Sequence, residues 1–120
     1  MFSFHNKNEF EISGFSSNPE HNPDDKITKE ILNSFDKFYD ISEKSDEEII
    51  SDVKNFSLDI AIDLSGFTKD NRTSLFRKRI APIQVNFLGY PGTIGKFNDY
   101  IIADKYVIPE ESKKFYFEKI

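Results

Sequence analysis

Along this chain, stretches in which apolar residues fall at every second position take turns with stretches in which they return every third or fourth. The first period is that of a strand with one face buried and the second that of an amphipathic helix. Their alternation restricts the chain to the α/β class. Strands joined through helices run parallel with right-handed crossovers, so the expectation is a Rossmann-like, mostly parallel sheet with helices on both faces.

Taken in order, Glu9–Phe15 (EFEISGF) reads as a strand, and Ser16–Pro23, with Asn18, Pro19, Asn22 and Pro23, as a loop. Asp24 or Asp25 caps a first helix whose Ile27, Ile31, Leu32 and Phe35 form one apolar face. Phe38–Ile41 is a short strand. Ser45 with Glu48 three residues on is a capping box, opening a helix with Ile49, Ile50, Val53 and Phe56 inward and an end near Asn55. Leu58–Leu64 (LDIAIDL) is a strand. A helix capped by Asp70 or Asn71 follows, with Leu75 and Phe76 inward and an end near Ile80, because the residue before Pro82 disfavours helix. Tyr100–Ala103 is a further strand, and Pro109 starts a last helix with Glu110 and Glu111 at its positive end. Phe115, Tyr116, Phe117 and Ile120 then present apolar surface.

Between these elements lies Ile83–Gly95, IQVNFLGYPGTIG. It begins as a strand, with Ile83, Val85 and Phe87 alternating against Gln84 and Asn86, and breaks at Leu88 into a loop holding three of the five glycines. Glycines after a strand allow positive φ and let backbone approach a ligand, at the place where open α/β sheets bind them. An ordinary tight turn is the plainer reading of the same residues.

Composition narrows the function. At 120 residues there is room for one small domain or a piece of a larger one, with 13 Phe and no Trp to fill its core. A net charge of −5 argues against a nucleic-acid surface, and Arg77-Lys78-Arg79 alone does not reverse that. The absence of cysteine removes disulfides and thiolate sites; the sequence also lacks a signal-peptide pattern and any run approaching a membrane span. The expectation is a cytoplasmic protein with no membrane and no nucleic-acid partner.

Other chemistry-bearing residues have bland readings. Asp59 and Asp63 lie on one face of a single strand and so cannot flank a scissile bond as a glycosidase pair; Asp63 more simply orders the Ser65–Thr68 turn. His5 and His21 lack a convergent carboxylate, and no metal site is expected. Arg77–Arg79 reads as a solvated helix end, and Glu43–Glu48 as a helix start.

Four blocks in the second half carry a resemblance: Asp59–Thr68 (DIAIDLSGFT), Arg79–Val85 (RIAPIQV), Leu88–Gly95 (LGYPGTIG) and Asp99–Asp104 (DYIIAD). In this order and spacing they resemble the catalytic region of the protein O-linked N-acetylglucosamine transferases and their SPINDLY relatives, family 41 of the glycosyltransferases. FEISGFS, FYDIS and the SDEEI helix resemble the preceding family segment less distinctively. The resemblance implies a GT-B enzyme with two Rossmann-like lobes across a cleft, residues 1–120 being one incomplete domain from the later part of the N-terminal lobe. It implies inverting transfer of N-acetylglucosamine from UDP-GlcNAc to Ser or Thr hydroxyls of a protein acceptor, with no metal or other cofactor. Carried over by position, Leu88, Gly89 and Pro91 match the loop lining the donor-sugar and acceptor side, and Tyr90, Gly92 and Thr93 complete it. A neutral loop suits a neutral hydroxyl nucleophile, and Gly89 and Gly92 are expected to bring backbone close to the sugar.

The resemblance assigns no catalytic residue to this stretch. One family histidine would precede Met1; a second aligns near Lys37, a donor at neutral pH and not a base. The UDP-binding lobe and the tetratricopeptide repeats lie outside the sequence, so the 120 residues alone are expected to be inactive. The alternative is a non-catalytic interaction or regulatory module that keeps the half-lobe fold.

Overall fold

Every strand pair in the computed structural model, which describes residues 4–18, 22 and 24–120, is parallel. The chain divides into two compact units, residues 1–44 and 45–120, each with its own sheet.

In the first unit β1 (Ser13–Ser16) pairs with β2 (Lys37–Asp40) across α1 (Lys26–Ser34). Phe15 and Tyr39 are register partners and their rings stack at 5.1 Å. Gly14 is buried, and a Cβ there would meet the Phe35 ring at 2.9 Å, so the strand needs glycine where the ring lies across it. Asp25 caps α1 by accepting from the Thr28 N–H at 2.8 Å. The expected inward face of α1 is not found: none of its residues is buried, and Ile27 is 66% exposed. The periodicity is there, but among the described residues the stripe is covered only in part, with Leu32 and Phe35 half-buried and Ile27 and Ile31 exposed. Of the Ser16–Pro23 loop, Pro19, Glu20, His21 and Pro23 lie outside the described residues.

In the second unit α2 (Asp46–Phe56) opens with the expected capping box. Ser45 Oγ accepts from the Glu48 N–H at 3.3 Å while Glu48 Oε2 accepts from the Ser45 N–H at 2.8 Å. Ile49 and Val53 are buried from this helix, each contributing roughly 1.5–3 kcal/mol of transfer free energy. A sheet of β3 (Ile60–Asp63), β4 (Ile83–Phe87) and β5 (Tyr100–Ile102) follows, in the order β3-β4-β5. Between β3 and β4 runs α3 (Thr73–Arg77), which buries Leu75 and Phe76 as expected. Its entry is not capped by a side chain of Asp70; Asn71 Oδ1 instead accepts from both the N–H and the hydroxyl of Thr73, at 3.2 and 2.8 Å. An Arg72–Asp46 ion pair at 2.8 Å and a Ser74–Asp46 hydrogen bond tie α3 to the first turn of α2. The final helical segment, Glu110–Phe115, is a 3-10 helix with Pro109 as N-cap.

Register sets the two faces of the three-stranded sheet. Ile60, Ile62, Ile83, Val85, Tyr100 and Ile102 share one face, and Ala61, Asp63, Gln84, Asn86 and Ile101 the other. All five residues of the second set are buried, whereas Ile60, Ile62, Ile83, Tyr100 and Ile102 are exposed. Burial in β4 therefore does not follow its polarity: Gln84 and Asn86 are each 0% exposed, and Val85 between them is buried as well. Burial of the Gln84 amide is tolerable because both of its polar atoms are bonded locally, whereas Asn86 is bonded through its Nδ2 and its Oδ1 is buried without a partner among the described residues. Gln84 Oε1 accepts from the Ile80 N–H at 2.8 Å, and its Nε2 donates to the Phe76 and Phe97 carbonyls at 2.8 and 2.5 Å. The helix consequently ends at Arg77 rather than near Ile80: Ile80 is bound to Gln84, and Arg79 turns to φ +56.

Candidate functional site

The carboxyl ends of β3 and β4 feed two loops that brace each other. At the end of β3, Asp63 is buried and its Oδ1 accepts from the Ser65 and Gly66 N–H groups, both at 2.9 Å. This is the turn-ordering role expected of Asp63. Asp59 lies outside the strand and is exposed, so the two carboxylates have unlike surroundings. At the neighbouring register position on β4, Asn86 Nδ2 donates to the Tyr90 carbonyl at 2.8 Å and the Gly92 carbonyl at 3.5 Å. A buried side chain at each strand end thus holds the loop that leaves it.

The loop after β4 begins with a γ-turn. The Gly89 N–H donates to the Phe87 carbonyl at 2.9 Å, and Leu88 at the apex has φ +70. That is the strained hand of this turn, in a region that side chains other than glycine rarely occupy. Leu88 is 77% exposed, so its side chain recovers little of that strain by burial.

The glycines answer to protein contacts. A Cβ on Gly89 would stand 1.8 Å from the Leu64 carbonyl oxygen, and one on Gly66 would stand 2.3 Å from Tyr90 Cβ. A Cβ on Gly92 would meet the Tyr90 ring at 2.7 Å, and the Phe67 and Tyr90 rings meet edge to face at 5.7 Å. The missing Cβ atoms of Gly89 and Gly92 make room for the neighbouring loop and for Tyr90, a requirement of packing that the sequence does not show. Positive φ is found at Leu88 and Gly95, not at Gly89 or Gly92.

Farther along, the loop is tied to the C-terminal segment. Thr93 Oγ1 donates to Glu118 Oε2 at 2.6 Å, the Ile94 and Gly95 N–H groups donate to Glu118 Oε1 at 2.7 and 3.2 Å, and the Tyr116 hydroxyl donates to the Pro91 carbonyl at 2.7 Å. Of the six residues singled out from the sequence, Leu88, Gly89 and Pro91 are exposed, while Tyr90, Gly92 and Thr93 are half-buried. They form one continuous edge at the carboxyl end of a parallel sheet, where such sheets bind ligands. Asn86 and Glu118 were missed in the sequence. The only signal for Asn86 was an amide on a strand leading straight into a glycine loop, and Glu118 gave none.

Leu88–Thr93 itself carries no charged side chain, and the ion pairs of Arg79 and Lys37 are made elsewhere. Arg79 Nη2 reaches both carboxylate oxygens of Asp99 at 2.9 and 2.7 Å and the Pro82 carbonyl at 2.6 Å, so it is a structural clamp and not a solvated helix end. Its hydrogen bond, with that of the Gln84 N–H, holds the Asp99 carboxyl below the usual aspartate value. In the first unit Lys37 Nζ lies 2.8 Å from Glu11 Oε1, and this partner raises the lysine above its ordinary value and keeps it a cation, as expected of a residue that is no base. His5 meets Phe10 edge to face at 6.1 Å; His21 lies outside the described residues. Among the described residues no group of three or more His, Cys, Asp and Glu is placed to hold a metal ion, and no helix is long and apolar enough to cross a membrane. Two hollows in the second unit, about 380 and 530 Å³, are lined around Val85, Tyr100 and Lys119 and around Val53, Arg79 and Pro82, without any residue of Leu88–Thr93.

Known proteins are similar to this chain in sequence and in fold. The chain is 31% identical over 121 residues, its whole length, to an Arabidopsis thaliana protein described as a probable UDP-N-acetylglucosamine–peptide N-acetylglucosaminyltransferase, SEC, of which it covers 12%. It is 38% identical over 96 residues to the Caenorhabditis elegans UDP-N-acetylglucosamine–peptide N-acetylglucosaminyltransferase, covering 75% of this chain and 8% of that one. A solved structure of a mutant Thermobaculum terrenum O-GlcNAc transferase superposes with a TM-score of 0.89 at 28% identity, over 98% of this chain and 22% of that one. The chain thus spans a small part of the relatives it matches. With residues 1–120 also matched by the model of glycosyl transferase family 41, the cross-braced loops at the ends of β3 and β4 belong to a member of that family.

Proposed function

We propose that this chain forms one wall of a sugar-transfer pocket, as the later part of the N-terminal lobe of a GT-B enzyme. That enzyme moves N-acetylglucosamine from UDP-GlcNAc to a Ser or Thr hydroxyl of a protein acceptor, in the cytoplasm and without a metal or other cofactor. The acceptor oxygen attacks the anomeric carbon from the face opposite UDP. The new C–O bond forms as the bond to the β-phosphate oxygen breaks, so the configuration inverts, and the hydroxyl proton passes to a base. No residue of this chain is given that role.

What carries the reading is the place of Leu88–Thr93: a loop without charged side chains, at the carboxyl end of a parallel strand, braced from behind by Asp63, Asn86 and the Leu64–Gly66 backbone. The relatives' names support the choice of donor and acceptor. A substrate group laid along such an edge meets backbone already fixed by other bonds and so needs no reorganisation on binding. The remainder of the pocket, including the UDP-binding lobe, is supplied by sequence outside these residues.

The test is transfer of labelled N-acetylglucosamine to an acceptor peptide by the protein as it is encoded, wild type against Leu88→Ala. The reading expects kcat/KM to fall about tenfold, equivalent to about 1.4 kcal/mol of transition-state stabilisation, with an unchanged unfolding midpoint. Equal transfer by the two proteins would remove Leu88–Thr93 from the pocket. Binding of acceptor protein with no transfer by the wild type would favour the non-catalytic module.

A further inference from the structure

We infer that Glu118 is a positioning residue for the Leu88–Gly95 loop, an inference that rests on the reading of that loop as a pocket wall. Glu118 is 4% exposed and takes three hydrogen bonds from the loop's exit, from Thr93 Oγ1 at 2.6 Å, Ile94 N at 2.7 Å and Gly95 N at 3.2 Å. Thr93 Oγ1 in turn accepts from the Gly95 and Phe117 N–H groups at 3.3 and 3.5 Å, which closes the network on itself.

The carboxylate sits on a firm mount. The Lys119 N–H donates to the Asp99 carbonyl at 2.9 Å and the Lys119 carbonyl accepts from the Ile101 N–H at 3.0 Å, so the residue after Glu118 is laced onto the edge of β5 as a parallel bridge to Tyr100. Charge-assisted hydrogen bonds are about twice as strong as neutral ones, and at this burial water competes little for the donors. Asn86 and the Tyr116 hydroxyl hold the middle of the loop through the Tyr90, Pro91 and Gly92 carbonyls, and Glu118 holds its exit at Thr93–Gly95. Loosening the exit leaves the loop held at its middle alone, and displacements near 1 Å at a reacting centre cost about a hundredfold in rate.

The experiment compares Glu118→Ala with Glu118→Gln in the full chain. The amide retains an acceptor for Ile94 and Gly95 and offers an N–H to Thr93, so it is the conservative rescue. In Glu118→Ala, hydrogen-exchange protection of the Ile94 and Gly95 amides is expected to drop at least about tenfold while that of Val85 and Ile101 holds within about threefold. Glu118→Gln is expected to restore most of it. In the transfer assay kcat/KM is expected to fall about tenfold in Glu118→Ala and to recover in Glu118→Gln. If Glu118→Ala does not fold, Thr93→Val removes one arm of the clamp and is expected to loosen the Gly95 amide selectively.

Uniform loss of protection across the sheet would make Glu118 a general staple and overturn the inference. So would normal transfer by an active Glu118→Ala, with the pocket reading left standing. A wild-type protein that neither binds UDP-GlcNAc nor transfers would bring down the pocket reading, and the inference with it.

Discussion

Replacing Gln84 by leucine tests whether the buried amides of β4 hold the second unit together. The side chain is wholly buried and makes three hydrogen bonds to backbone groups, so Gln84→Leu strands all three partners at once. They do not suffer equally. The Phe76 carbonyl keeps a second donor in the Arg79 N–H at 3.1 Å, and the Phe97 carbonyl keeps Arg79 Nη1 at 3.4 Å. Each of these loses about 1 kcal/mol, the net worth of one hydrogen bond. The Ile80 N–H loses its acceptor, Gln84 Oε1, at a cost of about 1–3 kcal/mol. The sum is about 3–5 kcal/mol, a large share of the roughly 5–15 kcal/mol by which a native domain is stable. With a urea slope of about 2 kcal/mol per molar, the unfolding midpoint followed by circular dichroism should fall by about 2 M with an unchanged slope. A fall below about 0.5 M would show that leucine's burial compensates, and the amide network would not be what fixes the turn between α3 and β4.

Asp99 gives the second unit a pH dependence. Its carboxyl is held below the usual value by Arg79, so its stabilising contribution is complete above about pH 3.9 and is lost as pH falls through the lowered folded value. Asp99→Asn should therefore lower the urea midpoint at pH 7, and the gap to wild type should close in the acid range; a gap constant down to pH 2 would mean the charge is not what matters. Gly89→Ala is expected to cost more than Gly92→Ala, by about 1 kcal/mol or more, because the first new methyl meets the Leu64 carbonyl and the second meets a Tyr90 ring that can rotate away. Equal costs in thermal melts would show that the loops separate freely. Ser45→Ala removes the hydroxyl half of the α2 capping box and should lower stability by about 1 kcal/mol, read as the same midpoint shift at several ionic strengths.

Local chemistry was legible wherever the partners sit close in sequence. The Ser45–Glu48 box, the Asp25 cap and the Asp63 turn join residues three or fewer apart, and residue type and spacing mark each of them, the cap as Asp24 or Asp25. The parallel α/β arrangement followed from the alternation of periods. Polarity does not give exposure here: Gln84 and Asn86 alternate with apolar residues as a solvated face would, yet both are buried, with Val85 between them, and their side chains donate to loop and turn backbone. The Arg79–Asp99 pair spans 20 residues and the Glu118 clamp spans 23 to 25, and nothing in a linear pattern marks such partners. The apolar stripe of α1 was read correctly as a stripe, but a stripe says nothing of what lies against it.

Leu88 leaves a question of selection. Glycine would sit at φ +70 without strain, and with most of the leucine side chain in water the exchange would forfeit little burial. On folding grounds alone, then, this position favours glycine over leucine.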